Sequence, residues 1–151
     1  LEYVGWKEHI QSHIPAPYPG IDRIIQRQKE EGGIVCVVSM SADSNIRRDY
    51  KTHFDLEPDD IFGWDMEPAN RKPSPWALFE IMRRYHLKPE DLLVIDDTKA
   101  AVPMAHEAGV KIAFAGWGRR DFPKITAQME TLCDYSFAST EALERFLFEE
   151  E

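Results

Sequence analysis

Short apolar runs alternate with segments of helical periodicity along most of this chain, and this alternation constrains the fold more than any other feature. Three runs predict strands, at residues 34–38, 92–95 and 110–115. Each is apolar and rich in β-branched residues, as expected of a strand whose sheet has helices on both faces. The sequence therefore predicts an α/β fold built on a parallel sheet.

The segments around these runs carry apolar residues at helical spacing. They predict helices over residues 20–31, 75–85 and 99–108. Glycines follow the first and the third of these segments, where a left-handed residue ends a helix. Residues 134–138 predict a short edge strand, and residues 140–148 predict a closing helix with Ser139 or Thr140 as its cap.

Charge and cysteine content exclude several classes of protein. The chain has 151 residues and a net charge of -9, and its basic residues are scattered, which argues against nucleic acid as a partner. Cys36 and Cys133 form no closely spaced pair, so neither a disulfide framework nor a zinc site is indicated. No apolar run is long enough to cross a bilayer, and no secretion signal precedes the first helix. We expect a cytoplasmic protein with no membrane partner.

Polar residues at the carboxyl ends of parallel strands are the first candidates for a ligand site. Ser39, Met40 and Ser41 follow the first predicted strand, where a hydroxyl and backbone N–H groups could face an anion. The alternative is that Ser39 only caps the next helix.

Two further candidates follow in the sequence. Lys72 lies in a proline-bounded loop that restricts where its charge points, although it could also be a solvated surface lysine. Asp96 and Asp97 end the second predicted strand, where Mg²⁺ could use one or both carboxylates. Adjacent aspartates can also be simple turn residues.

The order of these features resembles that of the haloacid dehalogenase-like (HAD) hydrolases. Four segments look like the second, third and fourth motifs of that superfamily with their lead-ins: residues 18–21, 37–39, 71–75 and 94–98. The resemblance extends over residues 17–118 and favours the capped phosphoglycolate-phosphatase and β-phosphoglucomutase-like subgroup. The turn at Gly116, Trp117 and Gly118 is similar to one in that subgroup, although the tryptophan could equally be a packing residue. The resemblance implies a Rossmann-like, three-layer parallel sheet.

The resemblance also implies catalytic and phosphate-binding roles. Ser39 is expected to hydrogen-bond a phosphoryl oxygen, helped by the backbone N–H groups of Met40 and Ser41. Lys72 is expected to neutralise charge on the nucleophile and on the phosphoryl group in transfer. The implied substrate is a small phosphorylated metabolite.

The metal ligands are implied in the same way. Asp97 aligns with the Mg²⁺-binding acid of the superfamily, and Asp96 is implied as a second ligand or as a partner one shell further out. Mg²⁺ is therefore the implied cofactor.

The chain departs from the superfamily at the first motif, an Asp-x-Asp whose first aspartate is the nucleophile. Asp65, Met66 and Glu67 have the nearest spacing, but residues 61–64 are too short and mixed to be the strand that should precede that motif. The missing strand is implied to lie in the middle of the sheet, where its loss would expose two edges. We therefore expect it upstream, with residues 1–16 as the end of a helical cap domain and residues 17–151 as the core.

The leading hypothesis is a Mg²⁺-dependent phosphomonoester hydrolase that acts through an aspartyl-phosphate whose nucleophile is missing from this chain. Two alternatives stay within the superfamily, a phosphosugar mutase and a dehalogenase. A third is a catalytically inactive module that binds phosphate and Mg²⁺. An Asp-x-Asp motif upstream of Leu1 would favour the enzyme over the inactive module.

Overall fold

The computed structural model describes residues 18–149. The chain divides into two compact units, Leu1–Met66 and Glu67–Glu151, called here the N-terminal and the C-terminal unit. The predicted cap remnant at residues 1–16, and its boundary with the core, lie outside the described residues, so that division stays a prediction. Within residues 18–149, no helix combines the length and the apolar character that crossing a membrane requires.

Residues 18–66 of the N-terminal unit form two helices and a two-stranded parallel sheet. Its elements are α1 (Ile21–Glu30), β1 (Cys36–Val38), α2 (Asp43–Phe54) and β2 (Asp60–Phe62). β1 and β2 pair in parallel, with Val37 opposite Ile61. Asp59 fixes the start of β2, because its carboxylate accepts hydrogen bonds from Lys29 Nζ at 2.7 Å and from the Val35 N–H at 2.8 Å. The β2 strand is thereby held in register with β1.

The C-terminal unit contains a three-stranded parallel sheet and four helices. Its elements are α3 (Trp76–Tyr85), β3 (Leu93–Asp96), α4 (Ala101–Ala108), β4 (Lys111–Ala115), α5 (Pro123–Leu132), β5 (Tyr135–Phe137) and α6 (Thr140–Phe148). Three short 3₁₀ turns connect them, at Pro68–Asn70, Pro89–Asp91 and Gly116–Arg119. The strand order is β3-β4-β5, so β4 is central, and its Phe114 is fully buried. The core of this unit surrounds β4.

The predicted α/β class with parallel strands is confirmed, and helices occur in all of the segments that the periodicity indicated. The cap of α6 is Ser139, whose hydroxyl oxygen accepts a hydrogen bond from the Ala142 N–H at 3.2 Å. Three elements were not predicted with bounds, the helix α2, the short strand β2 and the helix α5.

The expectation that the first two strands are buried on both faces is wrong. Every residue of β1 is only half-buried, and Ile95 in β3 is 40% exposed. The reason is pairing: among the described strands, β1 pairs only with β2 and β3 only with β4, so each has a free edge. Only β4, which has a strand on both sides, has an almost fully buried run. The apolar character of β1 and β3 therefore exceeds the burial that residues 18–149 provide for them.

Candidate phosphate and metal site

A buried ion pair lies at the carboxyl end of β3. Lys72 Nζ donates to Asp96 Oδ2 at 2.7 Å, and the two side chains are only 7% and 13% exposed. The other oxygen of Asp96 accepts hydrogen bonds from the backbone N–H of Thr98 at 2.9 Å and from its hydroxyl at 2.8 Å. Both oxygens of Asp96 are therefore engaged, and the carboxylate is held in one orientation. The alternative that Lys72 is a solvated surface lysine is wrong.

The ammonium group of Lys72 retains donor capacity. It carries three N–H bonds, and within the described part of the chain its one hydrogen-bond acceptor is Asp96. The remaining donors are available to a phosphoryl oxygen. A nearly buried ammonium group stabilises such an oxygen more strongly than a surface lysine does, because less water screens it.

Asp97 has different surroundings from its neighbour. Burial raises the pKa of the Asp97 carboxyl, the nearby Arg119 charge lowers it, and the negative charge of Asp96 raises it again, with a net shift upward. Arg119 Nε lies 3.6 Å from Asp97 Oδ2. A half-buried carboxylate with a raised pKa gains from a nearby cation, because the cation offsets the cost of removing the charge from water.

Gly118 lies close against the Asp97 carboxylate. A Cβ atom at Gly118 would lie 2.6 Å from Asp97 Oδ2, which is closer than atoms can approach. Only glycine therefore fits at residue 118 while the carboxylate keeps this position. Trp117, by contrast, is buried, so the packing interpretation applies to the tryptophan of this turn.

The donor chemistry of this site fits Mg²⁺. The ion prefers oxygen ligands and is commonly held by one or two carboxylates together with waters and phosphate oxygens. Within residues 18–149, the Asp97 carboxylate has only Arg119 within ion-pair distance, whereas both Asp96 oxygens are already engaged in hydrogen bonds. Within residues 18–149, no three His, Cys, Asp or Glu side chains cluster as a complete metal cage. Asp97 is therefore the residue best able to hold the ion, and Asp96 is better placed to orient Lys72.

The predicted phosphate loop follows β1 in the N-terminal unit. The Ser39 N–H donates to the Phe62 carbonyl at 3.0 Å, and the Ser41 N–H donates to Ser39 Oγ at 3.0 Å. The Ser41 N–H is thus engaged locally, while the Ser39 hydroxyl can still donate its hydrogen. Met40 is exposed. The helix-cap alternative for Ser39 is wrong, because Ala42 occupies the cap position of α2.

The first turn of α2 packs closely against the end of β2. The Asp43 Oδ1 atom is buried without a hydrogen-bond partner among the described residues. Burial, followed by the negative charge of Asp65, raises the pKa of the Asp43 carboxyl. A Cβ atom at Gly63 would overlap Asp43 Oδ1 and would lie 2.5 Å from the Ser41 carbonyl oxygen. Only glycine fits at residue 63 while the loop after Ser39 keeps this conformation.

Replacement of Gly63 by alanine is expected to lower the free energy of unfolding by about 1–3 kcal/mol, because the new methyl group forces this loop apart. Urea denaturation measures the change. Asp43→Ala in the same protein should not rescue the variant, since the overlap with the Ser41 backbone carbonyl remains. An unchanged unfolding midpoint for Gly63→Ala would show that the loop is not packed as described.

Sequence reasoning missed two features of the site. Arg119, the cation nearest Asp97, was not singled out, although a basic residue directly after a glycine-rich turn at a strand end is a usable signal. Thr98 was treated only as a motif neighbour, yet it holds Asp96 through two hydrogen bonds. Of the predicted residues, Lys72 and Asp96 are in contact and Asp97 adjoins them, all in the C-terminal unit. Ser39, Met40 and Ser41 belong to the N-terminal unit.

Parallel strands with a lysine–aspartate pair and a second acid at the carboxyl end of β3 define an α/β protein with a charged cluster at a strand end. The family model described as haloacid dehalogenase-like hydrolase matches residues 2–115, and the chain belongs to this family. The family predicted from the sequence motifs is thereby confirmed.

Similar proteins agree with the predicted subgroup. The chain is 29% identical over 118 residues to a phosphoglycolate phosphatase of Aquifex aeolicus, a match that covers 75% of this chain and 52% of that protein. The fold resembles a predicted phosphoglycolate phosphatase from Haemophilus somnus 129PT, with a TM-score of 0.75, 16% identity and coverage of 94% and 61%. It also resembles CbbY from Rhodobacter sphaeroides in complex with phosphate, with a TM-score of 0.68, 21% identity and coverage of 91% and 60%. The chain thus spans about half the length of the curated relative.

Proposed function

We propose that this chain is the phosphate- and Mg²⁺-binding part of a phosphomonoester hydrolase that acts through an aspartyl-phosphate. The observation that carries the proposal is the nearly buried Lys72–Asp96 pair, which lies at the carboxyl end of β3 directly before Asp97. In a HAD-like chain, a lysine held in this way has donors free for a phosphoryl oxygen, and the half-buried Asp97 carboxylate beside it gains from a nearby cation.

The residues have separate roles in this proposal. The Ser39 hydroxyl donates to a phosphoryl oxygen, and the exposed turn at Met40 and Ser41 borders the anion. Lys72 neutralises charge that develops on the phosphoryl group. Asp97 holds Mg²⁺, with Asp96 fixing the orientation of Lys72. When bound, Mg²⁺ neutralises phosphoryl oxygens and helps to align them.

The nucleophile is proposed to come from outside residues 1–151, on a strand that these residues do not supply. Three observations support this: the sequence contains no Asp-x-Asp, β1 and β3 are more apolar than their burial within residues 18–149 requires, and the matched relative is longer than this chain. Residues 1–16 are proposed as the end of a cap domain and residues 17–151 as the core.

The proposed substrate is a small phosphorylated metabolite. The name of the Aquifex relative and the phosphate complex of CbbY support this class. The net charge of -9 argues against a nucleic-acid partner, and we propose a cytoplasmic location without a membrane partner.

The test is phosphate release from a panel of phosphomonoesters by the natural protein that contains these residues, with Mg²⁺ and with a chelator. We expect Mg²⁺-dependent release and, in a rapid quench, a covalent phosphoenzyme that hydroxylamine cleaves. Binding of phosphate and Mg²⁺ without turnover would instead identify the inactive module. Isomerisation of a phosphosugar without phosphate release would identify a mutase, and halide release from a haloacid would identify a dehalogenase.

A further inference from the structure

Arg119 is anchored by its backbone at the edge of the candidate metal site. It is the last residue of the 3₁₀ turn Gly116–Arg119 that follows β4. Its carbonyl oxygen accepts hydrogen bonds from the Phe122 N–H at 3.0 Å and from the Thr126 hydroxyl at 3.1 Å. The start of α5 therefore fixes the position from which the Arg119 side chain extends.

The Arg119 side chain is directed to Asp97. Its Nε atom donates to the Asp97 backbone carbonyl at 3.2 Å and lies 3.6 Å from Asp97 Oδ2. The Phe122 ring centre lies 5.9 Å from the guanidinium carbon. Among residues 18–149, Asp97 is the one carboxylate within ion-pair distance of this guanidinium, and the terminal Nη atoms have no hydrogen-bond partner. Arg119 thus contributes a positive charge beside Asp97.

The charge of Arg119 and a divalent cation would compete for the same carboxylate. The guanidinium lies 3.6 Å from Asp97 Oδ2, and Arg119 is the cation within ion-pair distance of Asp97 among residues 18–149. An ion bound there would repel a guanidinium a few ångströms away, and a partly buried site screens that repulsion poorly. The cation must therefore either displace the side chain or bind against its charge.

We propose that Arg119 is a resident counter-ion of Asp97 that gives way when a divalent cation binds, so that it limits the affinity of the site for Mg²⁺. The inference rests on the proposed role of Asp97 as the magnesium ligand. Arg119 is here a positioning residue, because it acts on the metal through Asp97. Without metal it supplies the charge that a half-buried carboxylate needs.

The first test is the affinity of the natural protein for Mn²⁺, used as a spectroscopic probe for Mg²⁺ and measured by electron paramagnetic resonance of the free ion, with Mg²⁺ competition. Arg119→Gln should tighten binding by about fivefold or more, a common size for coupling between two sites. Arg119→Lys keeps the charge and should bind close to the wild type. Arg120→Gln is the matched control, because the Arg120 side chain is exposed and contacts the Ala138 carbonyl instead.

A second measurement needs no variant. In the wild-type protein labelled with ¹⁵N at arginine Nε, Mg²⁺ should shift the Arg119 Nε–H resonance and speed its exchange with water, as the side chain leaves Asp97. This measurement keeps the inference testable if Arg119→Gln does not fold.

The outcomes separate this inference from the proposed function. Unchanged or weaker binding in Arg119→Gln, with binding lost in Asp97→Asn, overturns the counter-ion role alone. Equal binding in Asp97→Asn and the wild type overturns both, because the ion then binds elsewhere. An Arg119 Nε–H resonance that does not respond at saturating Mg²⁺ also overturns the counter-ion role.

Discussion

Replacement of Lys72 by methionine is expected to lower the free energy of unfolding by about 3–5 kcal/mol, the usual cost of leaving one member of a buried ion pair without its partner. Methionine keeps most of the volume of lysine, so the loss reports charge rather than a cavity. Because Lys72 and Asp96 are only 7% and 13% exposed, water cannot replace the missing ammonium group at Asp96. Urea denaturation monitored by circular dichroism measures the change.

Two further variants make this test specific. Asp96→Asn in the Lys72→Met background should recover part of the stability, since the double variant no longer buries an unpaired charge. Lys111→Met is the control, because Lys111 is 65% exposed and lies 3.9 Å from Asp134, and exposed pairs contribute at most about 1 kcal/mol. Equal effects of Lys72→Met and Lys111→Met would contradict the buried pair. In the natural protein, Lys72→Met should also lose phosphatase activity.

Replacement of Asp97 by asparagine is expected to reduce Mg²⁺-dependent phosphate release by about a hundredfold or more, because the charge that holds the ion is removed. We expect Mg²⁺ to raise the melting temperature of the wild type, and this rise should disappear in Asp97→Asn. Asp121→Asn, at an exposed acid in the same unit, is the matched control. Retention of the Mg²⁺-induced rise in Asp97→Asn would contradict the assignment.

In the absence of metal, Asp97→Asn is expected to raise the stability of the protein near pH 7. The folded protein raises the pKa of Asp97 and therefore favours the protonated carboxyl. The contribution of this protonated group to folding stability is complete at pH values below its ordinary pKa of 3.8. The contribution is lost as the pH rises through the folded pKa. Asparagine does not titrate, so in a chelator Asp97→Asn should exceed the wild type in stability near pH 7, and the difference should shrink as the pH falls towards 3.8. If the difference in stability between Asp97→Asn and the wild type is the same at every pH, burial does not raise the pKa of Asp97 as described.

Much of the fold could be read from the sequence because its signals are local. A run such as residues 110–115 is apolar at every position, and in the structure it becomes the buried central strand β4. Helix ends were equally readable, as at Gly109, whose φ of 73° suits glycine. The strand β2 was not predicted, because Asp60–Phe62 is too short to show a period and forms only through pairing with β1.

The candidate site was only partly predictable, because several of its contacts join residues that are far apart in the sequence. Motif order identified Lys72, Asp96 and Asp97, since each stands at a recognisable strand end or proline-bounded loop. The resemblance aligned Asp97 with the Mg²⁺-binding acid, but it left open whether Asp96 is a second ligand, because adjacent carboxylates look alike in a sequence. Their separate partners, Lys72 and Thr98 for Asp96 and Arg119 for Asp97, come from distant or irregular segments.

The sequence by itself thus determined the α/β class, most of the helices and strands, and the family, because these depend on local periodicity and on short motifs in order. Only the tertiary structure showed that Lys72 and Thr98 hold Asp96 and that Arg119 lies beside Asp97. These contacts join residues up to 24 positions apart in the sequence, and their strength depends on burial. These are properties of three-dimensional packing, which local sequence does not encode.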